Sequence, residues 1–391
     1  KVIDMSRVLA GPWAGQLLGD YGADVIKVEK PGIGDDTRQW GPPWLGNESG
    51  YFMSANRNKR SITVDISSNE GQDVIKDLVK HSDILIENYK IGTLARYGIS
   101  SKELLKINPK LIYCSVSAYG QSGSRSDQPG YDAMIQASAG LMSITGPAED
   151  NNNGPQKVGV AISDIMAGMY AVTAILAALN SRERTGKGQA IDIPLYDSQV
   201  AWLANQNMNY LLDKTTPKRM GTAHPNLVPY QVFPTSDGDL MLAVGNDNQF
   251  KKCCDALGLE SLKEDPRFLS MSNRISNRKA LIKLLKDRFI TDNTNNWLKK
   301  LLDFKVPAGP VNDIKEVLTN EYATERNLIK NIMNSEGQNV PLVSNPVYFD
   351  CTPVEYNLPP PLLGEHTHEI LNEWLGYSDK KLNSLKKLGV I

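Results

Sequence analysis

Cysteine and histidine are scarce in this sequence, which has four of each among its 391 residues. The cysteines form no C-x-x-C pair and the histidines show no zinc-ligand spacing, although His366 and His368 lie close together. We therefore expect no metal site. So few cysteines also argue against a disulfide framework and favour a reducing compartment, and we predict a cytoplasmic location.

The sequence also lacks an excess of charge, since 43 Lys and Arg residues stand against 44 Asp and Glu residues. This balance favours neither nucleic acid nor a membrane surface as a partner. Apolar runs fall short of the roughly 20 residues that span a bilayer, so we expect no membrane helix. The sequence begins at Lys1 within a strand-like pattern, and we expect native residues before it. A targeting peptide there would make the mitochondrial matrix the alternative location.

What the sequence does contain is a regular alternation of short apolar strands and helical segments. Strands are predicted at 2–5, 23–28, 61–66, 84–87, 111–117 and 189–193, with a helix beginning at 10–12 and further helices at 71–80 and 101–108. This alternation predicts an α/β fold with a Rossmann-like, mainly parallel sheet covered on both faces. No G-x-G-x-x-G follows the first strand, so a nicotinamide cofactor is not supported.

After Met220 the pattern changes to turn-rich strands, and charged amphipathic helices then run from Gln249 to Phe304. This change predicts a second, smaller α+β domain. The proline-rich segment PPPLLG leads to two C-terminal helices. The predicted division is a large domain at 1–200, a linker at 201–224, a small domain at 225–325, and a connector with C-terminal helices at 326–391.

One carboxylate stands near the start of a long helical segment, KVGVAISDIMAGMYAVTAILAAL at 157–179. Large apolar residues recur after Asp164 with a helical period, which predicts a helix buried on most sides. Asp164 can act as the N-cap of this helix or lie within reach of its unpaired backbone N–H groups, which favour an ionised carboxylate. For an isolated Asp at a helix start, a purely structural cap is the simpler interpretation.

Long motifs follow one another along almost the whole chain. They are DMSRVLAGPWAGQLLGDYGADVIKVEKPGIGDDTR, NRNKRSITVDI, ILIENYKIGTLARYGIS, GYDAMIQASAGLMSITG, RTGKGQAIDIPLYDSQ, VPAGPVND and PPPLLGEHT. Together they resemble the class III CoA-transferases, a group that includes formyl-CoA transferase and carnitine CoA-transferases and is related to the α-methylacyl-CoA racemases. The resemblance implies a large Rossmann-like domain, a small middle domain and an interlocked homodimer.

The same resemblance implies that Asp164 is the acyl-accepting nucleophile. A carboxylate with an ordinary pKa near 3.9 is ionised at neutral pH and attacks a thioester without a separate base. Coenzyme A is then a substrate, and no permanently bound cofactor is needed. The tetrahedral intermediates call for N–H donors, for which the candidates are the start of the Asp164 helix and the loop Gly245 to Gln249.

Positions that contact coenzyme A in the family also have counterparts here. They are Leu9, Ala10, Lys30, Val64, Asn88, Tyr89, Lys90 and Arg96. Lys30 stands where the family member compared has Arg, so it binds phosphate as a point charge without a bidentate fork.

The pair Tyr131 and Asp132 separates the two branches of the superfamily. Racemases have His at the position of Tyr131, because proton exchange at Cα needs a base on each face of the carbon. A tyrosine with a pKa near 10 is a poor base at neutral pH. The pair therefore favours a transferase, with both residues near the substrate.

Further residues are predicted to contact the acyl group or the acid. Trp40 and Tyr51 match aromatic positions of the acyl pocket in formyl-CoA transferase, and Leu9 replaces a Gln, which leaves room for a longer acyl group. Arg38 and His224 are candidate partners for the second carboxylate of a dicarboxylic acid.

The sequence thus predicts a homodimeric enzyme that moves CoA from an acyl-CoA, such as succinyl-CoA, to a small carboxylic or dicarboxylic acid. Two alternatives stay open. One is an acyl-CoA racemase or epimerase acting at Cα, and the other is a CoA-binding protein without catalysis.

Overall fold

The computed structural model describes residues 1–148 and 153–391. The chain divides into two units. Unit 1 comprises Lys1–Leu141, Lys157–Thr215 and Glu321–Ile391, and unit 2 comprises Met142–Gln156 and Thr216–Asn320. The domain boundaries predicted from the sequence stay a prediction.

Within the described ranges, the strands are β1 (Val2–Asp4), β2 (Val25–Glu29), β3 (Trp44–Leu45), β4 (Glu48–Ser49), β5 (Lys59–Thr63), β6 (Ile84–Glu87), β7 (Ile112–Ser117), β8 (Gln189–Pro194), β9 (Tyr230–Pro234), β10 (Asp239–Ala243), β11 (Ala308–Pro310), β12 (Ile329–Met333) and β13 (Asn339–Val343). The helices are α1 (Ala10–Asp20), α2 (Gly50–Met53), α3 (Asn69–Lys80), α4 (Thr93–Arg96), α5 (Ser101–Ile107), α6 (Asp132–Ser138), α7 (Leu141–Ile144), α8 (Ile162–Thr185), α9 (Leu195–Trp202), α10 (Asn205–Asp213), α11 (Asp247–Leu257), α12 (Met271–Ser276), α13 (Arg278–Phe289), α14 (Thr294–Asp303), α15 (Ile314–Thr319), α16 (Glu321–Glu325), α17 (Thr367–Leu375) and α18 (Asp379–Lys387). Short 3₁₀ helices occupy Asp36–Gln39 and Glu260–Lys263.

The main sheet of unit 1 has six strands in the order β5-β2-β1-β6-β7-β8 within the described residues. Every neighbouring pair is parallel, which confirms the predicted mainly parallel α/β sheet. The strand predicted at 61–66 in fact begins at Lys59. Periodicity missed this start because the Lys59 ammonium is buried and donates to Asp4 Oδ2 and the Pro12 carbonyl, both at 2.8 Å.

Both faces of this sheet are buried, as its sequence pattern predicts. Val2 and Ile84 point into one apolar cluster, which α1 and α8 cover. Their neighbours Ile3 and Leu85 point into the opposite cluster, which helices α3, α17 and α18 help to form. Alternation of side chains along a strand explains this division, and parallel sheets are normally covered in this way.

Helix α8 differs from its predicted description. It ends at Thr185, before Gly186 in the left-handed conformation with φ 70°, as the predicted glycine stop requires. However, the side chains of Met169, Tyr170 and Leu176 are 42%, 38% and 46% exposed. In the single chain, the prediction that this helix is buried on most sides is therefore wrong, and one of its faces is apolar and open.

By length and hydropathy α8 is also long and apolar enough to cross a membrane, and it is the one such helix among the described residues. No membrane helix was expected from the lengths of the apolar runs. Such a helix is weak evidence for a membrane span, because core helices of soluble proteins pass the same test. Ala167, Ala171 and Ile175 of α8 are buried in the core of unit 1.

Unit 2 has its own core. The antiparallel strands β9, β10 and β11 form a three-stranded sheet in its described part. Phe233, Leu240, Phe250 and Trp297 belong to one buried cluster there, contributed by this sheet and by α11 and α14.

Candidate active site

The carboxyl ends of β1, β6, β7 and β8 lead into segments that line one cavity of about 250 Å³. Open α/β sheets bind their ligands at this edge. The segments are residues 7–10, 88–91, 116–118 and 126–131, together with Asp164 and Leu195. The cavity brings together seven residues that the sequence analysis singled out: Leu9, Ala10, Asn88, Tyr89, Lys90, Tyr131 and Asp164.

Asp164 lies in the first turn of α8, three residues after the N-cap residue Ala161, and its side chain is partly exposed on the cavity wall. Burial and the charge of Asp132 raise the pKa of Asp164 to about 7. Burial is the larger cause, because a carboxylate loses its hydration when protein atoms surround it. The expectation of an ordinary carboxylate, fully ionised at neutral pH, is therefore corrected: both forms are present near pH 7.

Asp132, and not Asp164, accepts a hydrogen bond from the N-terminal turn of α8. Its Oδ1 accepts the Ser163 N–H at 2.8 Å, and its Oδ2 accepts from Gln136 Nε2 at 2.7 Å. Of the two positions predicted for Asp164, the N-cap is wrong, because Ala161 is the N-cap residue, whereas a place in the first turn of the helix is what the structure has. Asp132 on α6 thus supplies a side-chain acceptor at this helix N-terminus, where negative charge is favoured.

A second cavity of about 320 Å³ lies beside the first in unit 1. The predicted CoA-binding residues Lys30, Val64 and Tyr89 line it. Arg7 and Asp36 line both cavities and form an ion pair of 3.1 Å. Both are roughly half-exposed, so this pair contributes little to stability.

Sequence reasoning missed Arg7 as a residue of the site. A signal was present, because Arg7 lies in the turn between β1 and α1, at the carboxyl end of a parallel strand where ligands bind.

Arg38 is a further correction. It is 3% exposed, and its guanidinium donates to both carboxylate oxygens of Glu29 at 2.8 and 2.7 Å, to Glu48 at 2.8 Å and to the Pro361 carbonyl at 3.1 Å. A buried guanidinium with these hydrogen-bond partners stabilises the fold. The predicted contact between Arg38 and a substrate carboxylate is therefore not supported.

Comparison with known proteins shows the family to which the chain belongs. The family model described as "CoA-transferase family III" matches residues 1–367. The chain belongs to CoA-transferase family III. It is therefore a class III CoA-transferase, with coenzyme A as a substrate, and the resemblance inferred from its motifs is confirmed.

Relatives of this family III transferase match along nearly their whole length. The chain is 44% identical to "Succinate--glutarate CoA-transferase" of Agrobacterium fabrum, over 95% of this chain and 94% of that protein. It is 43% identical to "Succinyl-CoA:glutarate CoA-transferase" of Homo sapiens, over 100% of this chain and 89% of that protein. Among solved structures, a CAIB/BAIF family protein from Brucella suis superposes with a TM-score of 0.83 at 44% identity, covering 95% of this chain and 97% of that one.

The remaining predicted residues of the transferase lie outside both cavities. Trp40 and Tyr51 pack edge to face with ring centroids 5.1 Å apart. Burial is the main cause of a raised pKa of Tyr51, and the charges of Asp164 and Asp132 add to it. Arg96 is exposed on α4, with its guanidinium 6.0 Å from the Tyr97 ring.

His224 belongs to unit 2. There its ring lies 5.2 Å from that of Tyr230, and its Nδ1 accepts the Asn226 N–H at 3.0 Å. Burial and the neighbouring Arg278 lower the pKa of His224. The imidazole is therefore mostly neutral at pH 7 and suited to hydrogen bonding more than to pairing with a carboxylate charge.

Several N–H groups predicted as oxyanion donors already have partners. The Ser163 N–H is bonded to Asp132, and the Ile162 N–H donates to the Val160 carbonyl at 2.9 Å. In unit 2 the Gly245 N–H donates to Gln249 Oε1 at 2.8 Å. An oxyanion role for these groups requires that the substrate displace their present partners.

Among the residues that the structure describes, no three His, Cys, Asp or Glu side chains are grouped so as to hold a metal ion. The prediction of no metal site stays a prediction.

Proposed function

We propose that this transferase moves CoA from succinyl-CoA to a small dicarboxylic acid such as glutarate, with Asp164 as the nucleophile. The observation that carries the proposal is the position of Asp164 on the wall of the cavity at the sheet edge, among the predicted CoA-binding residues. The choice of substrates is supported by the names of the relatives from Agrobacterium fabrum and Homo sapiens, which match over at least 89% of their length.

The proposed reaction begins with attack of the Asp164 carboxylate on the thioester carbonyl of succinyl-CoA. The C–S bond breaks, and the products are an aspartyl–succinyl anhydride and CoA thiolate. The thiolate then attacks the aspartyl carbonyl, which releases succinate and leaves an aspartyl-CoA thioester. The acceptor carboxylate attacks this thioester and expels CoA thiolate, which gives an anhydride of Asp164 with the acceptor. The thiolate then attacks the acceptor's carbonyl in this anhydride, which gives the new acyl-CoA and restores the Asp164 carboxylate. Covalent catalysis of this kind divides one difficult exchange into easier steps.

Other residues bind coenzyme A in this proposal. Lys30, in the second cavity, and Lys90, in the first, supply positive charge for its phosphates. Leu9 and Ala10 border the thioester end, and the phenol of Tyr131, 65% exposed, faces the acyl group. Arg96 contributes only if CoA extends beyond the second cavity.

The transferase is also proposed to act as a homodimer with interlocked chains. Support comes from the open apolar face of α8, since exposed apolar patches mark interaction surfaces. Size-exclusion chromatography with light scattering tests this, and a monomer at micromolar concentration would contradict it. The cytoplasmic location stays a prediction.

The nucleophile is tested by incubating the enzyme with succinyl-CoA, quenching it and measuring the intact mass. We expect a CoA-sized or succinyl-sized adduct that peptide mapping places on Asp164, and its discharge by glutarate. Asp164→Ala should give no adduct and retain CoA affinity within a few-fold. Asp127→Ala, which removes another carboxylate on the same cavity, should still give the adduct.

Absence of any adduct with a panel of acyl-CoAs, together with deuterium uptake at Cα from heavy water, would contradict the proposal and point to a racemase. Normal CoA binding with neither reaction would point to a binding protein.

A further inference from the structure

Val8 has an unusual backbone conformation at the edge of the active-site cavity. Its φ is 71°, in the left-handed region that β-branched residues very rarely adopt. Such conformations persist only where the surrounding structure imposes them, and they occur most often at functional sites. Val8 lines the same cavity as Asp164, and Leu9 and Ala10 follow it on the wall.

The group that holds Val8 is the carboxylate of Asp35. The Val8 N–H donates to both Asp35 oxygens at 3.2 Å. Lys27 Nζ donates to Asp35 Oδ2 at 2.8 Å, and neither side chain of this ion pair is exposed to solvent. Burial opposes ionisation of Asp35, but Lys27 and the hydrogen bonds outweigh it and lower the pKa of Asp35 to about 2.

Lys27 also anchors the residues just before Val8, because its Nζ donates to the Ser6 carbonyl at 3.0 Å. A second buried pair fixes the same segment. Asp4 Oδ1 accepts the Ser6 N–H at 3.0 Å, while its Oδ2 accepts from Lys59 Nζ at 2.8 Å. Buried charged side chains therefore fix the turn from β1 to α1, in addition to its own backbone.

A simpler role for Asp35 is to cap the short 3₁₀ helix that follows it. Its Oδ1 does accept the Thr37 N–H at 3.0 Å and the Thr37 hydroxyl at 2.8 Å. A cap needs nothing more. The contact with Val8, 27 residues earlier in the chain, and the buried pair with Lys27 lie outside that role.

The segment that Val8 belongs to also meets the helix that carries Asp164. A Cβ added to Gly168, one turn after Asp164, would lie 2.7 Å from the Ala10 carbonyl oxygen. Since close-packed groups transmit small displacements, the position of Ala10 and that of the first turn of α8 depend on each other.

We propose that Asp35 is a positioning residue for CoA transfer: with Lys27 it holds Val8 in the left-handed conformation and so places Leu9 and Ala10 against the nucleophile's cavity. The proposal rests on the proposed role of Asp164. Asp35 acts through the backbone of Val8 and does not touch the reacting atoms.

The test is a rescue. Asp35→Asn should lower kcat for succinyl-CoA to glutarate transfer by up to about 100-fold, as small misplacements at active sites do, with a smaller change in KM. Adding Val8→Gly should recover a large part of kcat, because glycine adopts a positive φ without the hydrogen bonds to Asp35. Asp35→Asn combined with Val347→Gly, a change at an exposed valine of unit 1, should recover nothing.

A purely structural role for Asp35 predicts the opposite. Val8→Gly would then leave kcat low or lower it further, since glycine adds chain entropy to the unfolded state, and this result would overturn the proposal. If Asp35→Asn does not fold, the double variant Lys27→Met/Asp35→Asn takes its place, because it leaves no unpaired buried ammonium. Adding Val8→Gly to this double variant should then recover kcat in the same way.

A second readout does not depend on activity. Hydrogen exchange in a peptide that contains Val8 should be faster in Asp35→Asn than in the wild type, because the amide offers one acceptor oxygen in place of two and Lys27, Thr37 and Val8 compete for it. Unchanged exchange would overturn the proposal. If the wild type forms no adduct on Asp164, the proposed function fails, while the exchange experiment still reports whether Asp35 holds Val8.

Discussion

At the scale of single residues, Asp164 lies on the cavity wall with a pKa that burial and the charge of Asp132 raise to about 7. The helical period placed this carboxylate in the first turn of α8, as the structure has it. Its raised pKa and the cap supplied by Asp132 were not predictable, because both depend on packing with α6, whose position relative to α8 no local pattern encodes. Arg38 was misread for the same reason, since its partner Glu29 lies on a neighbouring segment.

The raised pKa of Asp164 predicts a pH dependence. Below about 7 the carboxyl is mostly protonated and does not attack, so the rate of adduct formation should rise with pH through about 7 and level off above it. Asp132→Asn removes the like charge but keeps an acceptor for the Ser163 N–H. The midpoint should then move to lower pH by roughly one unit or less, because burial remains the larger cause.

Single-turnover adduct formation followed by quenched mass spectrometry at several pH values measures this midpoint. Asp73→Asn, on the exposed surface of α3, is the matched control and should leave the midpoint in place. A wild-type midpoint near 4 would show that Asp164 is an ordinary carboxylate.

At the scale of elements, most strands and helices of the sheet were predictable because their residues alternate or recur with a clear period. The strand Ile84–Glu87 has the predicted bounds, and α8 ends at Gly186 as expected. The start of strand β5 was predicted too late, because the buried ammonium of Lys59 donates to Asp4, a residue distant in sequence. The open face of α8 was also missed, because periodicity shows which residues are apolar but not what covers them.

Close contact between elements gives a prediction at Gly168. Gly168→Ala places a Cβ 2.7 Å from the Ala10 carbonyl and 3.2 Å from the Trp13 ring, so α1 and α8 must move apart. We expect a loss of about 1–3 kcal/mol in the free energy of unfolding, measured by chemical denaturation. Gly159→Ala adds the same atom where nothing lies within 4 Å and should change stability by less than about 0.5 kcal/mol. Equal stability of the two variants would contradict the packing.

At the scale of the whole molecule, the family and the parallel sheet were predictable from motifs that run along nearly the entire chain. The way in which segments distant in sequence pack together was not predictable, because unit 1 is built from three separate stretches of sequence. Its C-terminal stretch completes the core through Ile370, Trp374 and Leu385. The Asp65 N–H also donates to the Val390 carbonyl at 2.7 Å.

This dependence on the C-terminal helices is testable with two leucines of one segment. Leu385 is buried in the core of unit 1, whereas Leu388 is 64% exposed. Leu385→Ala should cost about 2–4 kcal/mol of unfolding free energy, since it leaves a cavity, while Leu388→Ala should cost less than about 0.5 kcal/mol. Thermal or chemical denaturation followed by circular dichroism compares them, and similar losses would show that α18 does not belong to the core.

During synthesis on the ribosome, the three stretches of unit 1 become available one after another. Residues 1–141 supply five of the six strands of the parallel sheet, and they emerge well before α17 and α18, which cover part of one face. At about 5–20 residues per second, the interval between residues 141 and 390 lasts roughly 10–50 s. During it the contiguous residues 216–320 of unit 2 become available and can form their own core. The nascent chain therefore exposes the part of this apolar sheet face that α17 and α18 later cover, until both helices have emerged.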